Sequence, residues 1–195
     1  MAYVRGNCPI RIYRPQRSLS HDLNPISTAT DILGEDLWAE IRPTTGELLD
    51  LTPGGGQLRR LELWLDSRYD LDNGYLVEVK RPRTINGTRS AVEEIAATSL
   101  SEGATSITLP RTTGFRAGDH IVVSGGGSAE QAKVKAVAAL TLTLYADCAL
   151  TNAYDAGATV RASRVYQVVD QLQPEEVGPY RRAVLREVSF AAVVS

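Results

Sequence analysis

Two alternations of apolar and polar residues stand near the start of the chain. In CPIRIYR, residues 8–14, Ile10 and Ile12 face one way and Arg11 and Tyr13 the other, the two-residue period of a half-buried strand. In LWAEIRP, residues 37–43, Leu37, Ala39 and Ile41 share a face opposite Trp38 and Glu40. The stretch between them is polar, carries Pro15 and Pro25, and predicts a long loop. Beyond Pro43, turns at Thr45-Gly46 and Pro53-Gly54-Gly55-Gly56 bracket Leu48, Leu49 and Leu51, which predicts a short hairpin arm with a glycine-rich tip. Leu61, Leu63 and Leu65 then alternate with Glu62, Trp64 and Asp66 as a further strand. Asp72-Asn73-Gly74 signals a tight turn into a strand over 75–80. Residues 91–97, AVEEIAA, have the composition of a short helix.

From Ser99 to Ala162 charges thin out, and Ala, Thr and Gly dominate. Short strands are predicted at 105–109, 120–124, 140–145 and 158–161, the beat of a small all-β module. The chain closes with VYQVVDQL at 165–172, a loop around Pro174–Pro179, and residues 180–194; the simplest reading is an antiparallel pair. YRRAVLRE has helical propensity, but the β-rich 188–194 favours strand.

Within the module, Ile121-Val122-Val123 runs into Ser124-Gly125-Gly126-Gly127, and SAEQAKVKAV follows. Strand, glycine loop and helix is the construction of a phosphate-binding loop. Here no Gly-Lys-Ser/Thr follows at the required spacing, and Glu130 stands where a dinucleotide fingerprint needs glycine. Ser128 and Gln131 have capping-box spacing, which supports a helix. LTLTL follows with no helix stop, so strand–turn–strand is the expected form, and neither nucleotide nor other cofactor is expected.

Composition excludes rather than selects. A formal net charge of −2 argues against bulk binding to nucleic acid or to an anionic membrane. No apolar run approaches the roughly 18 residues of a membrane span, and the first residues lack the pattern of a secretory signal. Cys8 and Cys148 have no metal-ligand spacing and are expected as free thiols. Asp119-His120 has the residue types of an acid–base pair, but a turn-stabilising aspartate beside a surface histidine is the simpler reading. Glu62, Asp66, Asp70 and Asp72 lack any calcium-loop spacing and read as a solvated strand end. No catalytic or metal site is expected. The arginines carry more information: Arg11 and Arg14, Arg59 and Arg60, and Arg181 and Arg182 cluster near strand ends and suit a protein–protein interface.

With the elements placed, residues 10–83 and 164–190 resemble the head–tail joining, or stopper, proteins of tailed bacteriophages. The resemblance rests on Trp38, Ala39, Ile41, Pro43, Gly46 and Glu47, then Arg68-Tyr69, then Tyr166 and Val168. Residues 99–162 resemble small β-modules of phage virion proteins, through Gly114-Phe115, Gly118-Asp119, LTLTLY and the YDAGATV stretch. The resemblance implies a mainly β fold: a small β-barrel core over 1–87 and 164–195, with an inserted β-domain over 88–163. It implies a structural virion protein, not an enzyme, made in the host cytoplasm. The partners implied are further copies in a ring of six or twelve, a portal or adaptor protein, tail proteins, and double-stranded DNA passing through the channel, with no membrane. The channel loop would be Thr44–Gln57, including Gly46, Glu47, Leu48, Leu49, Asp50, Leu51, Pro53, Gly54, Gly55, Gly56 and Gln57. A capsid decoration protein or a tail or baseplate adhesin is the alternative.

Overall fold

The computed structural model describes residues 6–15, 28–32, 35–43, 60–69, 71–172, 180–188 and 191–194. These form β1 (Cys8–Pro15), β2 (Thr28–Asp31), β3 (Leu37–Pro43), β4 (Arg60–Asp66), β5 (Leu76–Lys80), β6 (Pro82–Ile85), β7 (Thr88–Ala91), β8 (Glu93–Ile95), β9 (Ser106–Thr108), β10 (His120–Gly125), β11 (Ser128–Val137), β12 (Thr141–Leu144), β13 (Thr159–Leu172), β14 (Tyr180–Glu187) and β15 (Ala191–Val194). Among the described residues one short 3-10 turn, Ala146–Cys148, is the only helical element. The fold is mainly β, as the alternations predict.

Six strands close on themselves in the order β13-β14-β4-β3-β1-β5, and β5 returns to β13. Period two sends one side chain in each pair into this barrel. Ile10 and Ile12, Leu37 and Ala39, Leu63 and Leu65, Val77, Tyr166 and Val168, and Ala183 and Leu185 fill it, joined by Leu71 and Tyr75 from the β4–β5 connection. The three strands with clean sequence alternation, β1, β3 and β4, are half of its wall.

A second set of pairings runs β8-β13-β10-β11-β12-β9, and the Ala97 N–H donates to the Thr108 carbonyl (2.9 Å) to link its two ends. Its interior holds Ile107, Leu109, Ile121, Val123, Val134, Leu142, Leu144 and Val160. The Gly126-Gly127 pair is the β10–β11 turn, with φ of +59° and +81°, the left-handed values that a two-residue hairpin turn requires. The glycine stretch is therefore strand–turn–strand, as expected.

Between the two lies a third closed circuit. β13 pairs β10, β10 pairs β11, β11 pairs β15, β15 pairs β2, β2 pairs β1, and β1 returns through β5 to β13. The outward faces of the first two sets meet inside it: Tyr13, Leu76 and Val165 from one side, Val122 and Ala129 from the other. β13 belongs to all three circuits. The sequence pattern splits it into strands at 158–161 and 165–172, but the polar residues Arg161 and Ser163 at the apparent break are themselves buried, and the strand runs through without interruption.

Four further elements differ from expectation. Residues 180–194 form two strands, and only β14 pairs with β13, β15 pairing with β11 and β2. The predicted loop before residue 37 contains β2, which pairs with β1 through Tyr13↔Asp31. AVEEIAA holds a strand, β8, not a helix. Val92, Glu94 and Ala96 are buried, and Glu93↔Arg161 to Ile95↔Thr159 add it to β13; a helix of one or two turns has nothing comparable to offset its nucleation cost. The hairpin β6–β7 also went unread, although Asn86 (φ +50°) and Gly87 (φ +79°) form the Asn-Gly turn that favours hairpins. It interrupts a single pairing line: Arg81 donates to the Ala162 carbonyl (2.7 Å), and the Ala162 N–H donates to that of Val92 (2.9 Å). β5 and β8 are thus two pieces of one strand beside β13. The hairpin's Arg89 lies over the Trp38 ring at 4.1 Å and donates to the Gly6 carbonyl (2.8 Å). Gly6 passes so close to β3 that a Cβ there would sit 2.5 Å from the Trp38 carbonyl carbon.

Candidate assembly surfaces and the polar seam

The expected channel loop, Thr44–Gln57, lies outside the described residues, and so does Arg59. Its flanks are placed: Pro43 pairs with Leu61, so the two ends of the segment leave the barrel side by side. They leave at the end where Cys8 pairs with Ala39 and Tyr166 with Glu187.

The expected interface arginines do not share one surface. Arg11 is half-buried at the seam, with Asp36 at 3.1 Å and Asp31 at 3.5 Å. Arg14 donates from Nε to the Tyr75 hydroxyl (2.9 Å) and lies over that ring. Arg181 reaches the Ser67 and Leu71 carbonyls (3.4 Å each), bracing the β4–β5 connection. Arg60 is opposite Arg186 in the β4–β14 register. Arg182 is the member on an outward aromatic face: it and Arg42 flank the Trp64 ring at 5.6 and 5.3 Å, while Glu62 accepts from Arg182 and Glu40 from Arg42. The hydrogen bond from Arg182 holds the Glu62 carboxyl below its usual range, against the opposing effect of burial. Cation–π stacks of this composition are common at protein interfaces.

The densest polar cluster lies inside the third circuit. Glu78 is fully buried. Its Oε1 accepts from Arg161 Nε (2.8 Å) and Ser163 Oγ (2.6 Å), and its Oε2 accepts from the Tyr13 hydroxyl (2.7 Å). Arg161 also donates from Nη1 to Ser124 Oγ (2.9 Å). Burial alone would raise the Glu78 carboxyl; the charges of Arg161 and Lys80, with the bonds from Arg161 and Ser163, outweigh it and hold the group down at about 2. Burial and the neighbouring Glu78 charge push Tyr13 up, so it stays a neutral donor. Lys80, 1% exposed, reaches Asp36 (2.7 Å) and Glu93 (3.1 Å). With both carboxylate oxygens engaged by Arg161, Ser163 and Tyr13 and the group closed off from solvent, the cluster is an interlock between strands.

No protein-family model matches the chain, and no curated protein matches it significantly.

The remaining sequence candidates resolve into structural roles. Asp119 is buried; it accepts from both terminal nitrogens of the Arg81 guanidinium and from the Arg116 N–H (2.7 Å), which fastens the 116–119 turn to the barrel end. His120 meets Gln131 Nε2 through its Nδ1 (3.0 Å), and burial, with Arg164 nearby, lowers its pKa. The two side chains are engaged by different partners and form no acid–base pair. Buried Glu130 accepts from the Thr151 N–H (2.7 Å) and hydroxyl (2.6 Å) and from the Asn152 N–H (3.0 Å). Among the described residues no group of three His, Cys, Asp or Glu is placed to hold a metal ion, and both cysteines are free thiols. No described helix is long and apolar enough to cross a membrane. Sequence reasoning missed the Tyr13–Glu78–Arg161–Ser163 cluster. The one available signal was Leu76 beside Val77 and Val79, an apolar residue on each face of β5, which marks a strand covered on both sides.

Proposed function

We propose that this chain is a structural virion protein of a tailed bacteriophage, one subunit of the connector ring that joins the portal or its adaptor to the tail. The observation that carries the reading is the closed six-strand barrel, because six of the ten residues of the stopper resemblance fall on its wall, Arg68-Tyr69 lying in the β4–β5 connection and Gly46 and Glu47 outside the described residues. Trp38, Ala39, Ile41 and Pro43 lie on β3, and Tyr166 and Val168 on β13, with Ala39, Tyr166 and Val168 in the core. In this reading Thr44–Gln57 faces the axial channel. Its glycines permit the large backbone changes of a gate, and Glu47 and Asp50 repel passing phosphates. The outward Arg42–Trp64–Arg182 stack suits contact with a neighbouring subunit or tail protein. No chemistry is assigned to the chain.

The deciding experiment is cryo-electron microscopy of tailed-phage particles produced from a genome that encodes this chain, with immunogold labelling against it. The expected result is a six- or twelve-fold ring on the tail axis, with the 44–57 segment nearest the axis. Label spread over the shell, or confined to the tail tip, would replace this reading with the decoration or adhesin one. Absence from the particle would remove both.

A further inference from the structure

β15 occupies a slot between two sheet edges that belong to different parts of the molecule. It runs parallel to β2, with Val193↔Thr28 and Val194↔Ala29, and antiparallel to β11, with Ser128↔Val193, Ala129↔Ala192 and Glu130↔Ala191. Without β15, the edges of β2 and β11 would face each other across about 10 Å, twice the ordinary spacing of paired strands. Backbone donors and acceptors along both edges would then be open.

We propose that this slot is an exchange site between copies of the chain, in which β15 of one subunit fills the β2–β11 gap of the next. Three features point to a second copy as the occupant. The contacts are few: two register pairs on one side and three on the other, against seven between β14 and β4. They are ladder contacts of an uncharged AAVV segment, so an identical strand from another chain satisfies the same two registers with no new chemistry. And the link is short. Only Ser189 and Phe190 separate Val188, whose N–H donates to the Val165 carbonyl on β13, from Ala191 on the far side of β11. Three residue steps span at most about 11 Å. Short links of this kind favour exchange, because a strand delivered straight outward need not double back. Each subunit gives one strand and takes another, so a reciprocal exchange closes as a two-fold dimer and a strand passed on from copy to copy builds a ring or chain. The exchange does not depend on the connector reading, and its test uses the purified protein alone.

The test is disulfide trapping in a chain carrying Cys8→Ser and Cys148→Ser. One variant adds Ser128→Cys with Val193→Cys; a second adds Ala129→Cys with Ala192→Cys. Facing pairs along an antiparallel ladder alternate between wide and close, so one of these two variants has the closer geometry. After mild oxidation, exchange yields covalent multimers on a non-reducing gel, in a share that rises with protein concentration. Co-refolding full-length chains that carry Val193→Cys with size-tagged chains that carry Ser128→Cys yields a mixed dimer. Native mass spectrometry of the unaltered chain shows the same concentration-dependent multimers. If both double variants give only an internal disulfide at every concentration and the unaltered chain stays monomeric, exchange is refuted. If neither variant forms any disulfide, β15 does not sit in the slot, and the proposal fails with it.

Discussion

Removing the Glu78 carboxylate strands the Arg161 guanidinium, 3% exposed, without its counter-charge. Breaking one side of a buried pair costs about 3–5 kcal/mol, so Glu78→Ala is expected to lower denaturant stability by that order. Replacing both partners with apolar residues of similar volume is expected to restore most of the loss. The same residue gives an acid limb. Its folded pKa of about 2 lies below the unfolded carboxylate value of 4.5. The stabilisation is therefore complete above about pH 5 and is lost as pH falls from there toward 2, an amount of about 3 kcal/mol. Stability curves between pH 6 and 2 should show this slope, and Glu78→Gln should flatten it. Gly6 gives a second expectation at this scale. Its missing Cβ makes room for the Trp38 backbone, and overpacking there is expected to cost about 1–3 kcal/mol in Gly6→Ala. Neither residue is conspicuous in the sequence. A glutamate on an alternating strand reads as solvent-facing until a second layer is known to cover it, and a lone glycine near the start of a strand carries no signature of close approach.

The β10–β11 hairpin turns at Gly126-Gly127 and goes straight into strand, so it presents no helix N-terminus to a phosphate. Calorimetric titration with ATP or NAD is expected to show no binding in the micromolar range; a micromolar heat signal would overturn this account of the loop. Gly127→Ala, at φ +81°, is expected to cost about 1 kcal/mol. Legibility at this scale followed burial. β3 and β4 bury mainly one face, so their period-two pattern gave both their existence and their inward residues; β1 was read the same way through Ile10 and Ile12, although Tyr13 on its other face is buried in the third circuit. β8 has three residues and takes its identity from its partner β13, which no local pattern supplies. The β6–β7 hairpin was readable from Asn86-Gly87, but its strands are exposed on both faces and show no alternation. Of the candidate site, Thr44–Gln57 lies beyond what the structure describes, and Arg11, Arg14 and Arg181 are engaged by local partners. Arginine clusters in a sequence do not say which members find an acid or a carbonyl at home.

At the scale of the whole molecule, the seam sets what happens when the second module is cut away. Joining Arg83 to Arg164 through a short linker keeps all six barrel strands. It also removes Arg161 and Ser163 from Glu78 and uncovers Tyr13, Leu76 and Val165. The shortened chain is expected to unfold cooperatively but at a lower denaturant midpoint than the full chain, with more light scattering at equal concentration. Adding Glu78→Leu to it should recover part of the midpoint, since the carboxylate is by then a buried charge without a cation. A midpoint equal to the full chain's would show that the seam contributes nothing to the barrel.

On the ribosome, β13 arrives late. Glu78 and Arg161 are 83 residues apart, an interval of about 4–17 seconds at ordinary elongation rates. Until residues 159–172 emerge, none of the three strand circuits can close. Until then the nascent chain shows the open edges of β4, β5, β8 and β10 to whatever chains are nearby. Translation stalled before residue 159 is then the hazardous state, and chaperone demand should fall sharply once β13 has cleared the exit tunnel.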